Sequence, residues 1–161
     1  MTPWTFIATC GGVGYAPKAP GTFGTLIAVP FAVALAFLPP VLAMAIIIGI
    51  TMVGIQACEK FCAVSGEHDR QEIVIDEFAG YLIAVNMLPF TWQSFFAAFI
   101  LFRFLDITKP LFIGRLDRNV KGGVGVMVDD LAAGLVANVL LQFAFYQTDW
   151  LGVQWDGSFS L

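Results

Sequence analysis

The sequence predicts an all-α, polytopic membrane protein, and three observations predict it. Of 161 residues, 58% are hydrophobic and only 12% are charged, about half the roughly 25% charge of a soluble domain. The few charges are bunched: none falls between Ala19 and Cys58, between Phe78 and Phe102, or between Leu131 and Thr148. Apolar runs of about 17–25 residues read as membrane helices. Finally, breaks at Pro39-Pro40 and Pro89 return every Lys and Arg to the same side of a membrane. A soluble helical protein with a very apolar core is the competing reading, and the low charge content argues against it. The length suits one domain, residues 1–161. Its architecture is expected to be two spanning helices, a short helical hairpin and a C-terminal spanning helix, preceded by an interfacial N-terminal segment.

The elements follow in order. Met1 to Gly14 is apolar, uncharged and carries Trp4 and Phe6, as a short helix lying in the interface would. With no Lys or Arg before Lys18, it lacks the basic start of a signal peptide. Gly11 to Thr25 (G-G-V-G-Y-A-P-K-A-P-G-T-F-G-T) is too rich in Gly and Pro for regular structure. Thr22 is the expected N-cap of the next helix. A Gly-rich loop with one Lys at a helix start resembles a phosphate cradle, although no G-K-[ST] of a Walker A loop occurs. Helix one is expected over about Phe23 to Leu38, and helix two, after the Pro39-Pro40 turn, over about Val41 to Cys58.

Glu59 to Glu72 is polar and contains His68, the single histidine, flanked by Glu67 and Asp69, a solvated loop residue by this setting. Glu72 and Asp76 are four apart and share a helix face if the helix starts that early. Between Phe78 and Phe102, Pro89-Phe90-Thr91-Trp92 breaks the ladder, with Thr91 a cap. The expectation is therefore two short helices, about Ile73 to Leu88 and Trp92 to Leu105, rather than one span. The hairpin returns Arg103 and Asp106 to the side of Asp76 and Glu77. It also puts Lys18, Lys60, Arg70, Arg103, Lys109, Arg115, Arg118 and Lys121 on one side, a strong positive-inside bias that makes that side cytoplasmic. The last helix runs from Leu131 to about Tyr146, and the tail with Asp149, Trp150, Trp155 and Asp156 forms an acidic, interfacial far end.

The chemistry centres on Lys121 to Gly134 (K-G-G-V-G-V-M-V-D-D-L-A-A-G), read as a glycine loop with Asp129 and Asp130 at the first turn of a helix. Acids suit that end of the helix dipole, and capping would account for one of them. Two, at the mouth of a membrane helix, point to function. Asp76, Glu77 and Gly80 echo Asp129, Asp130 and Gly134, each acidic pair being followed by small residues that permit close helix packing. One side thus gathers Lys18, Glu72, Asp76, Glu77, Arg103, Asp106, Lys109, Asp129 and Asp130. Clustered carboxylates need a cation or protons between them. Cys10, Cys58 and Cys62 form no zinc pattern and read as reduced, structural thiols, so an all-oxygen site suits Mg²⁺. Mg²⁺ beside Lys and Arg suits phosphate chemistry. A site opening at headgroup level makes a phospholipid the natural substrate.

Four blocks then resemble a known family. G-Y-A-P-K-A-P-G-T-F-G-T-L (Gly14 to Leu26), E-I-V-I-D-E-F-A-G (Glu72 to Gly80), F-R-F-L-D-I-T-K-P (Phe102 to Pro110) and G-G-V-G-V-M-V-D-D-L-A-A-G (Gly122 to Gly134) resemble phosphatidylglycerophosphatase A, a bacterial membrane lipid phosphatase. Thr25 stands where the family often has Ser. The resemblance implies Mg²⁺-dependent hydrolysis of phosphatidylglycerophosphate to phosphatidylglycerol and phosphate, in phospholipid biosynthesis at the bacterial inner membrane. On this reading Asp76, Glu77, Asp129 and Asp130 are the leading metal ligands or water-positioning bases, with Glu72 and Asp106 next as ligands. Lys18, Thr22, Arg103, Lys109, Gly122 and Gly123 bind phosphate. Water activated by Mg²⁺ is the preferred nucleophile and an aspartyl-phosphate the alternative. Neither the C-x-x-x-x-x-R loop of cysteine phosphatases, nor paired histidines, nor the D-G-x-x-A-R signature of CDP-alcohol transferases occurs. The rival function is a small cation-coupled transporter or channel, but its acids belong at midplane and an inverted repeat is not visible. The partners expected are the lipid substrate and membrane lipid, with no nucleic acid; an oligomer is compatible with the sequence.

Overall fold

A computed structural model describes residues 2–65, 70–110, 113, 120 and 122–152. Among them are six α-helices and no strand: α1 (Pro3–Ala8), α2 (Pro20–Ala36), α3 (Pro40–Ser65), α4 (Ile75–Val85), α5 (Trp92–Thr108) and α6 (Gly122–Gln147). A 3-10 turn at Val13–Tyr15 joins α1 to α2. The all-α expectation holds. Two helices, α3 over Pro40–Val64 and α6 over Gly122–Gln147, are long and apolar enough to cross a membrane. Large apolar side chains stand exposed along α2, α3, α5 and α6, among them Phe31, Ile48, Met52, Ile100, Leu135 and Val139. So much exposed apolar surface fits lipid rather than water.

Several boundaries differ from expectation, three of them in ways that bear on the site. Helix α2 starts at Pro20, not Phe23, and its N-cap is Ala19 in the left-handed region (φ +47°). Pro presets the helical φ and needs no N–H at a helix start, so Thr22 is the third residue of the helix and not its cap. The helix has 17 residues, about 25 Å at 1.5 Å per residue, so it is an apolar helix shorter than the expected span. Helix α3 continues through Glu59 and Lys60 to Ser65. Helix α6 begins at Gly122 (φ +78°) rather than Leu131, so Gly123 and Gly125 lie within the helix, and Asp129 and Asp130 lie about two turns inside it at 3.6 residues per turn. These glycines serve packing. A Cβ on Gly123 would fall on the Ile55 carbonyl oxygen and 2.7 Å from the Glu59 nitrogen, so α3 and α6 cross with almost nothing between them. His68, Glu67, Asp69, Arg115, Arg118, Lys121, Trp155 and Asp156 lie outside the described residues.

The chain breaks between α4 and α5 where expected, but α4 covers only Ile75–Val85 rather than Ile73 to Leu88, and α5 runs past Leu105 to Thr108. Thr91 caps α5, its hydroxyl accepting from Ser94 N at 3.2 Å. Helix α4 has only 11 residues and is buried along nearly its whole length; it packs chiefly on α6 and α2, and also on α5 and α3. A helix that stops inside a bundle leaves carbonyls that no water can satisfy. Here α6 satisfies them: Asn138 Nδ2 donates to Ala84 O (3.1 Å) and Asn86 O (2.7 Å), and Gln142 Nε2 to Met87 O (3.0 Å). The hydroxyls of Thr91 and Ser94 donate to Leu151 O at 2.5 and 3.2 Å, tying the chain after α6 to the same turn. Between α4 and α6 a Cβ on Gly134 would fall on the Gly80 carbonyl oxygen, and one on Gly80 would meet Asp130 O at 2.8 Å. The two echoing acidic segments are thus placed face to face.

Candidate active site

At one end of the bundle the start of α4, the close of α5 and the first turns of α6 meet over the start of α2. They enclose a cleft of about 390 Å³. Asp76 and Glu77 occupy the first turn of α4, where the helix dipole favours acids, and Glu77 N donates to Asp76 Oδ1 at 3.1 Å. Helix α5 contributes Arg103 and Asp106, which pair three residues apart. Arg103 also reaches Glu77 Oε1 at 3.6 Å. Helix α5 ends on Lys109 in the left-handed region (φ +41°), its N–H donating to Leu105 O at 2.8 Å. That turn aims its ammonium at Asp129 Oδ2, 2.5 Å away. From α6 come Asp129 and Asp130, both buried. Gly21 closes the floor: a Cβ there would fall on Glu77 Oε1 and 3.1 Å from an Arg103 nitrogen.

Asp76, Glu77 and Asp130 each present a carboxylate oxygen, all within 4.8 Å of one another. Glu77 Oε2 and Asp130 Oδ2 are buried without a hydrogen-bond partner, and buried polar atoms are normally satisfied. Five carboxylates (Asp76, Glu77, Asp106, Asp129, Asp130) and three bases (Arg70, Arg103, Lys109) line the cleft. The excess of negative charge and the orphaned oxygens fit a metal ion held by oxygen ligands.

The structure sorts the remaining candidates. Arg103, Lys109 and Asp106 line the cleft. Glu72 does not join the cluster: α4 starts at Ile75, so Glu72 and Asp76 share no helical face. Its carboxylate takes Arg70 Nε at 3.1 Å and an Arg70 terminal nitrogen at 2.8 Å. That guanidinium holds Glu72 below the usual carboxylate range. Lys18 is exposed on the loop before α2, and Thr22 is half-buried within α2; neither lines the cleft. Gly122 and Gly123 do not line it either, and Gly123 N donates to Glu59 Oε2 at 2.5 Å. Gly125 and Val126 line it instead, one turn further along α6. Arg70 and Gln71 are additional lining residues that spacing did not single out; their signal was only proximity to the Glu72–Gly80 block. None of the three cysteines is in a disulfide, and burial first, then the Glu77 charge, pushes the Cys10 thiol up to about 12, which makes it a poor nucleophile at neutral pH.

Comparison with known proteins finds a family model and relatives that span most of the chain. A family model described as Phosphatidylglycerophosphatase A matches residues 6–145. The chain is 41% identical over 143 residues to phosphatidylglycerophosphatase A of Escherichia coli (strain K12), covering 88% of this chain and 83% of that one. It is 38% identical over 146 residues to the Haemophilus influenzae protein of the same name, covering 89% of each. A Bacteroides thetaiotaomicron protein, provisionally named a phosphatidylinositol-3-phosphatase, is 40% identical over 146 residues, covering 86% of this chain and 91% of its own. No solved structure matches.

Proposed function

This chain belongs to the phosphatidylglycerophosphatase A family, and from that premise we propose that it hydrolyses phosphatidylglycerophosphate to phosphatidylglycerol and phosphate, with Mg²⁺, at the cytoplasmic face of a bacterial inner membrane. The observation that carries the reading is the meeting of Asp76, Glu77 and Asp130 in one buried cleft beside Arg103 and Lys109.

Asp76, Glu77 and Asp130 would hold the ion, with Asp129 and Asp106 completing the acidic wall. Bound there, Mg²⁺ supplies Lewis acidity and neutralises phosphate charge. The protein's own groups do the rest. Arg103 and Lys109 draw the terminal phosphate into the cleft, since both are already held by carboxylates and lose little freedom on binding it. A carboxylate of the cluster accepts the proton of the attacking water. The water oxygen forms a bond to phosphorus, the bond from phosphorus to the glycerol oxygen breaks, and that oxygen leaves with a proton as the free hydroxyl of phosphatidylglycerol. Lys18 is exposed on the loop just before Ala19, Pro20 and Gly21, which line the cleft, and its charge would attract anionic headgroups toward it.

The orientation rests on charge. Lys18 lies just before α2, Lys60 near the end of α3, Arg70 in the segment before α4, Arg103 near the end of α5 and Lys109 at its C-cap, so all five belong to the cleft end of the bundle, and basic residues collect on the cytoplasmic side. The deciding experiment measures phosphate release from phosphatidylglycerophosphate in detergent micelles by purified protein, with and without Mg²⁺, beside Asp130→Asn. Release that requires both Mg²⁺ and Asp130 supports the reading. A folded wild type that releases none refutes it.

A further inference from the structure

We propose that Arg70 is a specificity residue that grips the second phosphate of the substrate, the phosphodiester joining lipid to headgroup; the inference rests on the phosphatidylglycerophosphate reading above. A second polar cleft of about 400 Å³ adjoins the acidic one. Its walls are Gly14, Tyr15 and Ala16 on one side and Glu72 on the other, while Pro20, Arg70 and Gln71 line both clefts. Arg70 is therefore the cation at the seam. Arg103 and Lys109 stand apart from it in role, each joined to carboxylates within the acidic cleft, whereas Arg70 is joined to Glu72, which lines only the second cleft.

The seam is held in place. Ile73 N donates to Arg70 O at 2.9 Å and Val74 N to Ala8 O at 3.0 Å, which pins the segment before α4 to the end of α1. Gly14 packs so closely beneath that a Cβ would fall on the Glu72 carbonyl oxygen. Glu72 then fixes the guanidinium by a two-point contact, and a planar fork of N–H donors matches phosphate geometry better than an ammonium does. A group oriented before binding gives up little entropy when the ligand arrives.

Phosphatidylglycerophosphate carries a terminal phosphomonoester and, one glycerol away, a phosphodiester. With the monoester among the acids, the diester falls toward the seam. Tyr15, on the wall of the second cleft, and Phe6, on α1, are both more than half exposed, as aromatic side chains at a bilayer surface are. The acyl chains leave in that direction. An enzyme built this way distinguishes lipids with two phosphates from those with one.

The test compares wild type, Arg70→Gln, Arg70→Lys and Glu72→Gln in the same micelles. The substrates are phosphatidylglycerophosphate and phosphatidic acid, which has a phosphomonoester and no diester. Binding of phosphatidylglycerol, which has the diester alone, is measured in parallel by thermal shift. Arg70→Gln is expected to lower the ratio of kcat/KM for the two-phosphate lipid over phosphatidic acid by about 10- to 100-fold, the scale of one charged hydrogen-bond contact. It is also expected to weaken phosphatidylglycerol binding. Arg70→Lys, which keeps the charge without the fork, and Glu72→Gln should lower the ratio by less. An unchanged ratio, or equal losses on both lipids with phosphatidylglycerol binding intact, would overturn the assignment. Failure of wild type on both lipids would instead refute the phosphatase reading, and phosphatidylglycerol binding would still report on Arg70.

Discussion

The carboxyl of Asp130 is buried beside those of Asp76 and Glu77, and like charges at short range repel unless a cation joins them. Asp130→Asn is expected to cut phosphate release about 10²–10³-fold, the scale of losing one electrostatic element of a site. Without Mg²⁺ the variant should melt no lower than wild type, because one repelling charge is gone. Added Mg²⁺ should raise the melting temperature of wild type but not of the variant; equal shifts would remove Asp130 from the ligand set. Lys109 serves both chemistry and fold. Its left-handed backbone (φ +41°) costs a residue with a Cβ about 1–2 kcal/mol, but its ammonium pairs with buried Asp129, and removing one partner of a buried pair costs about 3–5 kcal/mol. Lys109→Gly should therefore melt below the wild-type temperature and lose most activity, and full activity in that variant would show that the ammonium is dispensable. The acids themselves were legible as residues, since carboxylates are conspicuous in so uncharged a chain. Glu72 was not separable from them by spacing, because what removed it was the start of α4 at Ile75 and a partner two residues away.

Two helix crossings decide whether these side chains meet. Gly134 against Gly80 sets the approach of α6 to α4. Gly134→Ala should cost about 1–3 kcal/mol, the usual penalty for overpacking, and should lower kcat by separating Asp76 and Glu77 from Asp130. Gly49 provides the contrast, since a Cβ there meets nothing within 4 Å. Gly49→Ala should be neutral or stabilising by up to about 1 kcal/mol through helix propensity, with activity kept. Both are read by thermal melting in detergent and phosphate release. The α4–α5 turn depends on Asn138 and Gln142. Asn138→Leu leaves the Ala84 and Asn86 carbonyls unserved and should destabilise by about 1–3 kcal/mol; an unchanged melting temperature would mean that these carbonyls find other partners. Pro89 and Thr91 revealed the turn in the sequence. Nothing there revealed its support, because Asn138 is some fifty residues away and joins the turn only when α4 and α6 pack.

At the scale of the molecule, the helices alternate in direction so that, among the described residues, one end collects every Lys and Arg and every acid but Asp149, and the other holds the α2–α3 and α4–α5 turns. The far end holds a third, mainly apolar cleft of about 340 Å³ between the ends of α2 and α4 and the start of α3. Its position predicts a labelling pattern. With Cys10, Cys58 and Cys62 replaced, Phe37→Cys at the far end should react with a membrane-impermeant thiol reagent added to intact cells from which the outer membrane barrier has been removed. Gln71→Cys at the cleft end should react only after the inner membrane is opened. The reverse pattern would place the cleft outside and refute a cytoplasmic active site.

By itself the sequence determined the helical class, the one-sided placement of charge, the hairpin break and the set of acids from which the site is drawn. These depend on local chemistry: hydropathy over a span, the missing N–H of proline, and the scarcity of charge. Tertiary structure alone decided which acids share a cleft, that Gly122 opens a helix which crosses α3 closely at Gly123, and that Arg70 stands where two clefts join. Those outcomes depend on distances between residues far apart in the chain. Such distances are set by how closely glycine faces let two backbones approach, and that is a property of the packed pair, which neither segment carries alone.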